Sequence, residues 1–240
     1  MGRVITSLVE NQRDKIAIVA GADIAKPKTP APFPAYTSIS LCEMPADVIL
    51  DVSTAEAVPG VLEYAVKTGT NVIICTTGLS EHTTDQIKKA SENVAVFKSA
   101  NMSLGINLIN SLLKQAAGLL YDEGFDIEII EKHHSNKTDA PSGTALFLAD
   151  TVNDALGNKL SYVYNRHDTR EKRDRAELGI HSLRGGTLTG EHSVVFAGYN
   201  EVVELKHTAY SREIFAVGAL KAVKFIAGKP PGLYDMDDLV

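Results

Sequence analysis

Residues 131–144 bring together the side chains in this sequence that are best suited to acid–base chemistry. They read Glu-Lys-His-His-Ser-Asn-Lys-Thr-Asp-Ala-Pro-Ser-Gly-Thr and follow an apolar run. Pro141 predicts a turn, Ser142 is a favourable helix N-cap, and Gly143 lets the backbone approach a ligand closely. The N–H groups of a first helical turn attract anions. Imidazoles and an ammonium group beside such a helix start indicate a site for a small carboxylate substrate, and therefore an enzyme.

Two other interpretations of this stretch stay open. Adjacent histidines such as His133 and His134 point to opposite faces of an extended chain, so that one could pack inside while the other faces water. The stretch would then be a structural polar loop. A metal site has little support, because a lone His-His pair lacks the ligand spacing of known zinc sites. We therefore expect no metal.

Composition limits the class of protein. The 240 residues suit one large domain or two modest ones. A net charge of -6 without a block of Lys or Arg argues against nucleic-acid binding. The sequence has two distant cysteines, Cys42 and Cys75, which suit a reducing compartment. It shows no signal peptide and no apolar run as long as a membrane span. We expect a cytoplasmic enzyme.

The elements that must position the polar stretch begin with alternating strands and helices. Apolar runs predict strands at 15–20, 47–52, 71–75 and 94–97, and helical patterns cover 2–10, 57–68 and 80–91. This order is typical of parallel β-α-β units with ligand-binding turns at the strand ends. Asp23 follows the first predicted strand, where dinucleotide folds keep an acid for the ribose hydroxyls. Thr76 and Thr77 follow the third, where they could meet a cofactor.

The glycine-rich turn that normally opens such a domain is missing. Only Met1, Gly2 and Arg3 precede or open the first helical pattern. A first strand and its turn need roughly ten more residues. Either the sequence starts downstream of the true start, or the fold is unusually short at this end.

The second half predicts a broad sheet. Helical patterns cover 106–120, 145–156 and 212–226, and strands are expected at 125–130, 179–183, 191–197 and 201–209. The last three strands predict an antiparallel meander. The charged stretch 166–177 predicts a solvated loop without a site. Because few helices are available to cover both faces of the sheet, we expect self-association through the uncovered face.

The motifs resemble those of the 4-hydroxy-tetrahydrodipicolinate reductase family. The segment Glu131-x-His133-His134-x-x-Lys137-x-Asp139-Ala-Pro-Ser-Gly-Thr-Ala145 resembles the family signature over its whole length. Further matches lie along the chain, at Met1-Gly2-Arg3, Asp51-Val-Ser53, Thr76-Thr77-Gly78, Asn101-x-Ser103-x-Gly105, Arg184-x-Gly186, Gly190-Glu-His192, Ser211-Arg212 and Gly228-Lys-x-x-Gly-Leu-Tyr-Asp-Met236. The resemblance covers essentially all 240 residues.

The resemblance implies an α/β protein that reduces the cyclic imine formed from 4-hydroxy-tetrahydrodipicolinate, a dicarboxylate, with NADH or NADPH in lysine and diaminopimelate synthesis. It implies a Rossmann-like dinucleotide-binding domain, residues 1–104 and 213–240, whose first strand is apparently missing. An α+β substrate-binding and oligomerisation domain, residues 105–212, would interrupt it with an open, mainly antiparallel sheet. Family members are commonly homotetramers.

The resemblance also implies residue roles. His133 matches the proton donor/acceptor and Lys137 the proton-donating lysine. Three residues match positions that hold the substrate's carboxylates, namely His134, Gly143 and Thr144. The cofactor-binding positions correspond to Gly2, Asp23, Cys75, Thr76, Thr77, Ser99, Ala100, Asn101 and Met102. The chain departs from the family where Cys75 replaces a usual glycine, where Met102 replaces a common aromatic residue, and where only Gly2 remains of the glycine-rich motif.

Asp23 bears on cofactor choice. Its carboxylate would accept from a ribose 2′-hydroxyl and repel a 2′-phosphate, and Ile24 rather than a cation follows it, although Lys26 and Lys28 could still reach. This predicts that NADH is at least as good as NADPH.

Two alternatives stay open. A related amino-acid dehydrogenase should lack the double-histidine, lysine and Pro-Ser-Gly-Thr combination that is present here. A non-catalytic homologue that has lost cofactor binding is disfavoured by the intact His133 and Lys137.

Overall fold

The computed structural model describes residues 1–11, 16–25 and 31–240. These residues form two compact units, one of residues 1–104 with 213–240 and the other of residues 105–212. Both units combine helices with β-sheet, which confirms the α/β class.

The helices and strands are numbered in chain order. The helices are α1 (Gly2–Asn11), α2 (Val58–Thr68), α3 (Glu81–Ser91), α4 (Leu104–Asp122), α5 (Gly143–Ala155) and α6 (Glu213–Ile226). The strands are β1 (Gly21–Ala22), β2 (Ala35–Tyr36), β3 (Val48–Asp51), β4 (Asn71–Ile74), β5 (Ala95–Lys98), β6 (Asp126–His133), β7 (Ser161–Val163), β8 (Glu177–Arg184), β9 (Gly190–Gly198), β10 (Glu201–Ala209) and β11 (Gly232–Tyr234).

The first unit is built on a parallel sheet with the strand order β11-β5-β4-β3. Strand β4 is apolar on both faces because helices cover both. Val72 and Ile74 pack with residues of α2 and α3, whereas Ile73 packs with residues of α6. A strand that is buried on both faces reads as a continuous apolar run, which explains its sequence. Since the strands are parallel, their carboxyl ends lie along one edge of the sheet.

The predicted strand over 15–20 is wrong where the structure describes it. Residue 15 lies outside the described residues, and residues 16–20 are not in a strand. Gly21 and Ala22 instead pair with Ala35 and Tyr36 in a separate two-stranded ladder. A strand needs a neighbour to satisfy its backbone groups, and an apolar run alone does not supply one. Sequence patterns also missed β11, which pairs with β5.

The second unit has a mixed sheet in the order β10-β9-β6-β8-β7. One face packs on α4 and α5 and contains Ile127, Ile129, Ile180, Val194 and Phe196. The predicted hairpin of β9 and β10 is confirmed. The meander is wrong between β8 and β9, because β6 lies between them, parallel to β8 and antiparallel to β9. Strand β6 carries two core isoleucines, which favours the central position.

The charged stretch 166–177 is not simply a solvated loop. Arg173 donates to Glu128 over 2.8 Å and to Asp126 over 2.7 Å, and its side chain is 17% exposed. The aliphatic part of the Arg173 side chain therefore covers part of the sheet. None of the helices in the described ranges is long and apolar enough to cross a membrane.

Candidate active site

The end of β6 carries two polar side chains on the face of the sheet that packs on α4 and α5. Side chains alternate along a strand, so Glu131 and His133 lie on the same face as Ile129, towards α5. The Glu131 side chain is 0% exposed and that of His133 is 10% exposed. A carboxylate this deeply buried must be paired and hydrogen-bonded.

Donors from β6, β8 and the start of α5 surround the Glu131 carboxylate. Arg184, at the end of β8, donates to both oxygens over 2.7 Å. The His133 Nδ1 lies 2.5 Å from Oε2, and the Ser142 backbone N–H donates to Oε1 over 3.1 Å. One buried carboxylate thus joins β6, β8 and the start of α5. Such a bidentate arginine pair fixes geometry as well as charge.

These contacts decide how the two groups titrate. Burial alone would raise the pKa of Glu131, but hydrogen bonds from Arg184 and His133 outweigh it and hold the pKa at about 2. Burial lowers the pKa of His133, although the Glu131 carboxylate opposes that effect. Because Glu131 is an acceptor only, the Nδ1 of His133 carries a hydrogen, and Nε2 is the nitrogen that gains and loses the proton.

The start of α5 has the predicted cap. The Ser142 hydroxyl accepts from the Ala145 N–H over 3.1 Å, and Gly143 and Thr144 are the first two helical residues. The same hydroxyl lies 2.9 Å from His192 Nε2. Burial lowers the pKa of His192 to about 4, so this imidazole is neutral at pH 7 and shares a hydrogen bond with the Ser142 hydroxyl.

The loop between β6 and α5 holds the remaining charged groups. The Lys137 ammonium lies 2.8 Å from the Asp139 carboxylate and is 21% exposed. This ammonium group lowers the pKa of Asp139. His134 is half-buried, and its carbonyl accepts from the Lys137 N–H over 3.1 Å. The structure therefore brings Lys137, His134, His133 and the α5 start into one loop region of the second unit.

The His133 ring packs edge-on against His192, with 5.1 Å between ring centroids. Gly190 faces this imidazole, because a Cβ added there would lie 3.1 Å from His133 Nε2. The glycine thus leaves room beside the titrating nitrogen. Within the described residues, no cluster of His, Cys, Asp and Glu could hold a metal ion.

The first unit places Cys75, Thr76 and Thr77 directly after β4, at the carboxyl edge of the parallel sheet. Asp51 is buried at the end of β3 and accepts from the Thr76 hydroxyl over 2.6 Å. The Thr76 hydroxyl is therefore left only as an acceptor, whereas Thr77 is exposed. Burial raises the pKa of Cys75 to about 12, which makes its thiol unreactive at pH 7.

The turn after β5 holds the next four cofactor positions, Ser99 to Met102. The Ser99 hydroxyl donates to the Asn101 carbonyl over 2.8 Å, which shapes the turn, and Ala100 is exposed. Met102 instead packs into the core beside α6. An added Cβ on Gly218 would lie 1.7 Å from the Met102 carbonyl oxygen, so the helix and the turn are in close contact.

The last two predicted cofactor residues lie near the amino end of the chain. Gly2 opens α1, and an added Cβ there would lie 4.0 Å from Val52, which follows β3. Asp23 is exposed and accepts from the Ala25 N–H over 2.8 Å. Lys26 and Lys28 lie outside the described residues.

Sequence reasoning gave no role to Glu131, Arg184 and His192, although all three lie in the quoted motifs. Glu131 could have been found, because a residue two positions before His133 on a strand shares its face. Arg184 and His192 come from β8 and β9, and only the order of strands in the sheet brings them to β6.

Comparison with known proteins matches the whole chain. The family model described as the N-terminus of dihydrodipicolinate reductase matches residues 1–102, and the C-terminal model matches residues 105–240. The 4-hydroxy-tetrahydrodipicolinate reductases of Caldanaerobacter subterraneus subsp. tengcongensis and Clostridium novyi are 50% and 48% identical to it. Each alignment covers 100% of this chain and 94% of the relative.

A solved structure shares the fold. The dipicolinate-bound dihydrodipicolinate reductase of Paenisporosarcina sp. TG-14 aligns with a TM-score of 0.82 at 24% identity, over 100% of this chain and 95% of that one.

These matches confirm the predicted enzyme class, an NAD(P)H-dependent oxidoreductase that reduces 4-hydroxy-tetrahydrodipicolinate in lysine and diaminopimelate synthesis. The first unit contains the nicotinamide dinucleotide-binding domain, of the Rossmann type. From its two matching domain models and its full-length relatives, the chain belongs to the dihydrodipicolinate reductase family.

Proposed function

We propose that residues 131–144 are the substrate-binding and proton-transfer centre, with His133 as proton donor/acceptor and Lys137 as the proton-donating lysine. The observation that carries this proposal is the buried Glu131, which holds the His133 imidazole beside the start of α5. A histidine in this setting exchanges its proton at Nε2, where Gly190 leaves room. General acids of this kind contribute about 10²-fold or more to rate.

The substrate is a small dicarboxylate, and we assign its carboxylates to His134, Gly143 and Thr144. The helix start at Gly143 favours negative charge, and His134 adds a ring N–H donor. The solved Paenisporosarcina protein binds dipicolinate, which has the same two ring carboxylates. We infer the same class of ligand for this chain.

Proton transfer follows from the charges in the loop. A bound reduced nicotinamide cofactor supplies the hydride. The cationic groups of Lys137 and of protonated His133 stabilise the negative charge that develops on the substrate during reduction. The Lys137 ammonium lies 2.8 Å from the Asp139 carboxylate, which holds it in this loop. His133 and Lys137 thus supply and replace the proton that the reduced product needs.

The residues of the first unit fit a nicotinamide dinucleotide. Exposed Asp23 and Thr77 offer acceptors and donors, and the carboxyl edge of a parallel sheet is where such ligands bind. We assign the ribose 2′-hydroxyl to Asp23, and Gly2 at the start of α1 to the pyrophosphate side. We therefore propose that NADH serves at least as well as NADPH. The kcat/KM values with both cofactors test this, and a strong preference for NADPH would contradict it.

Asp23→Asn offers a sharper test of cofactor choice. Removing the negative charge should raise kcat/KM for NADPH relative to NADH, because less charge then repels the 2′-phosphate. An unchanged ratio would mean that Asp23 lies away from the ribose.

We also propose a homotetramer that assembles through the second sheet. The face opposite α4 and α5 exposes apolar side chains, including Ile130, Leu183 and Val202 at 38%, 47% and 63%. Apolar area of this kind marks interaction surfaces. Light scattering should give about four times the 25.8 kDa chain mass. A mass equal to one chain would exclude the tetramer.

We place the reaction in the cytoplasm. Cys42 and Cys75 are free thiols in the structure, which suits a reducing compartment. Activity of the native protein in the cytoplasmic fraction after cell fractionation would support this location, whereas activity confined to another fraction would contradict it.

The roles of the loop residues are tested by substitution. His133→Gln and Lys137→Ala should each lower kcat on the order of 10²-fold, and His134→Ala should mainly raise the KM for the substrate. His167→Gln, a histidine whose side chain is 87% exposed, is the matched control and should change kcat less than about twofold. Near-normal turnover in both His133→Gln and Lys137→Ala would contradict the proposal. A parent chain without turnover would favour the non-catalytic alternative.

A further inference from the structure

Glu131 touches the proposed catalytic imidazole but faces away from solvent, so it acts on the reaction only through other groups. We propose that Glu131, clamped by Arg184, is a positioning residue that decides which nitrogen of His133 exchanges the proton and fixes the α5 start beside it. This proposal rests on the role proposed above for His133.

The hydrogen bonds leave the carboxylate one arrangement. Oε1 accepts from Ser142 N–H and from Arg184, and Oε2 accepts from Arg184 and from His133 Nδ1. An amide in place of the carboxylate has a single acceptor oxygen and turns an NH₂ group towards donors. The Glu131→Gln variant would therefore release His133 Nδ1, the Ser142 N–H or the guanidinium.

The same carboxylate joins two parts of the site. Ser142 is the N-cap of α5, and its N–H is bound by Glu131 while its hydroxyl meets His192. Moving Glu131 thus moves both the imidazole and the residues that begin the helix. A residue that only stabilised the fold would not control both the proton site and the substrate site.

The charges around His133 predict pKa shifts of opposite direction for two substitutions. Burial lowers the pKa of His133, Glu131 raises it, and Lys137 and Arg184 lower it. From β9, the His192 ring packs against the same imidazole and is neutral at pH 7. Removing the Glu131 charge should therefore lower the pKa of His133, whereas removing the Arg184 charge should raise it.

The experiment is a pH titration of ¹⁵N-histidine-labelled full chain by NMR, with Glu131→Gln and Arg184→Gln. The chain has 7 histidines, and the signal missing from His133→Gln identifies His133. In Glu131→Gln we expect a midpoint about one pH unit lower or more, a gain of the Nε2–H tautomer and a kcat loss on the order of 10²-fold. In Arg184→Gln the midpoint should rise and the Nδ1–H tautomer should persist.

Glu128→Gln and Arg173→Gln are the matched controls. Glu128 also binds an arginine and a histidine, and Arg173 already covers it. Both controls should leave the His133 midpoint and tautomer unchanged, with the oligomeric mass checked by light scattering.

The inference is overturned if Glu131→Gln and Arg184→Gln move the midpoint in the same direction, or not at all. If Glu131→Gln does not fold, Arg184→Gln decides by the sign of its shift, since its side chain is partly exposed. Normal turnover in His133→Gln would contradict the proposed function instead, so the two failures are distinguishable.

Discussion

Strand β6 carries two Glu–Arg–His groups on its opposite faces. Glu131 binds Arg184 and His133 on the face towards α5, and Glu128 binds Arg173 and His181 on the other. The histidine side chain is 10% exposed in the first group and 42% exposed in the second. Each group also faces a glycine, because a Cβ on Gly190 would meet His133 and a Cβ on Gly179 would meet Glu128.

The same three residue types therefore do different work. Glu128 is partly exposed, and solvent weakens its ion pairs. Glu131 is fully buried and also holds the Ser142 N–H, so its charge acts on an imidazole and on a helix start at once. We infer that burial and the additional contact to the Ser142 N–H, rather than residue types, distinguish the group at the proposed active site.

Substitution of the two glutamates should show the largest difference between the two groups, as a difference in the free energy of unfolding. Glu131→Ala leaves Arg184 and His133 buried without their acceptor, and we expect a loss of about 3 kcal/mol in the free energy of unfolding. Glu128→Ala should cost less than about 1 kcal/mol because its group is better solvated. Urea unfolding of both variants measures the difference. Equal losses would show that the two groups contribute equally to the free energy of unfolding.

Low pH should reduce the contribution of the buried residues around His133 to the free energy of unfolding. The pKa of His192 is lowered from 6.5 to about 4, so the folded state resists protonation that the unfolded state accepts. Its contribution is fully present above about pH 6.5 and is lost as pH falls towards 4, by at most about 3 kcal/mol. The pKa of Glu131 is lowered from 4.5 to about 2, so its contribution to the free energy of unfolding is lost as pH falls from about 4.5 towards 2.

Thermal unfolding between pH 8 and pH 4 measures this acid dependence. His192→Gln should reduce the fall in stability between pH 6.5 and pH 4, since one of the titrating groups is gone. A variant that loses stability as steeply as the parent would show that His192 is not the group responsible.

The facing glycines should give the smallest effect. In Gly190→Ala the new Cβ lies 3.1 Å from His133 Nε2, so the ring must move by a few tenths of an ångström. We expect kcat to fall roughly 3- to 10-fold, with the fold intact. Gly118→Ala in α4, where an added Cβ meets no described atom within 4 Å, should leave kcat unchanged and stabilise the helix slightly. Unchanged kcat in Gly190→Ala would mean that His133 tolerates this displacement.

Local patterns predicted much of the architecture. The continuous apolar run at β4 and the alternation in β6 follow from how each strand is buried, and Ser142 and Gly143 signalled the start of α5. Motif resemblance predicted the family. Periodicity failed at residues 16–20, and it did not predict that β8 pairs with β6 rather than β9, because the partner of a strand can come from a distant segment.

The sequence by itself determined which residues can do chemistry here, since their types, their spacing and the strand-to-helix order are local properties. The tertiary structure alone decided that Arg184 and His192 meet the same site. Residue 184 ends β8 and residue 192 lies in β9, and β6 inserted between them brings both to His133. Strand order depends on the packing of distant segments against α4 and α5, and no local pattern encodes it.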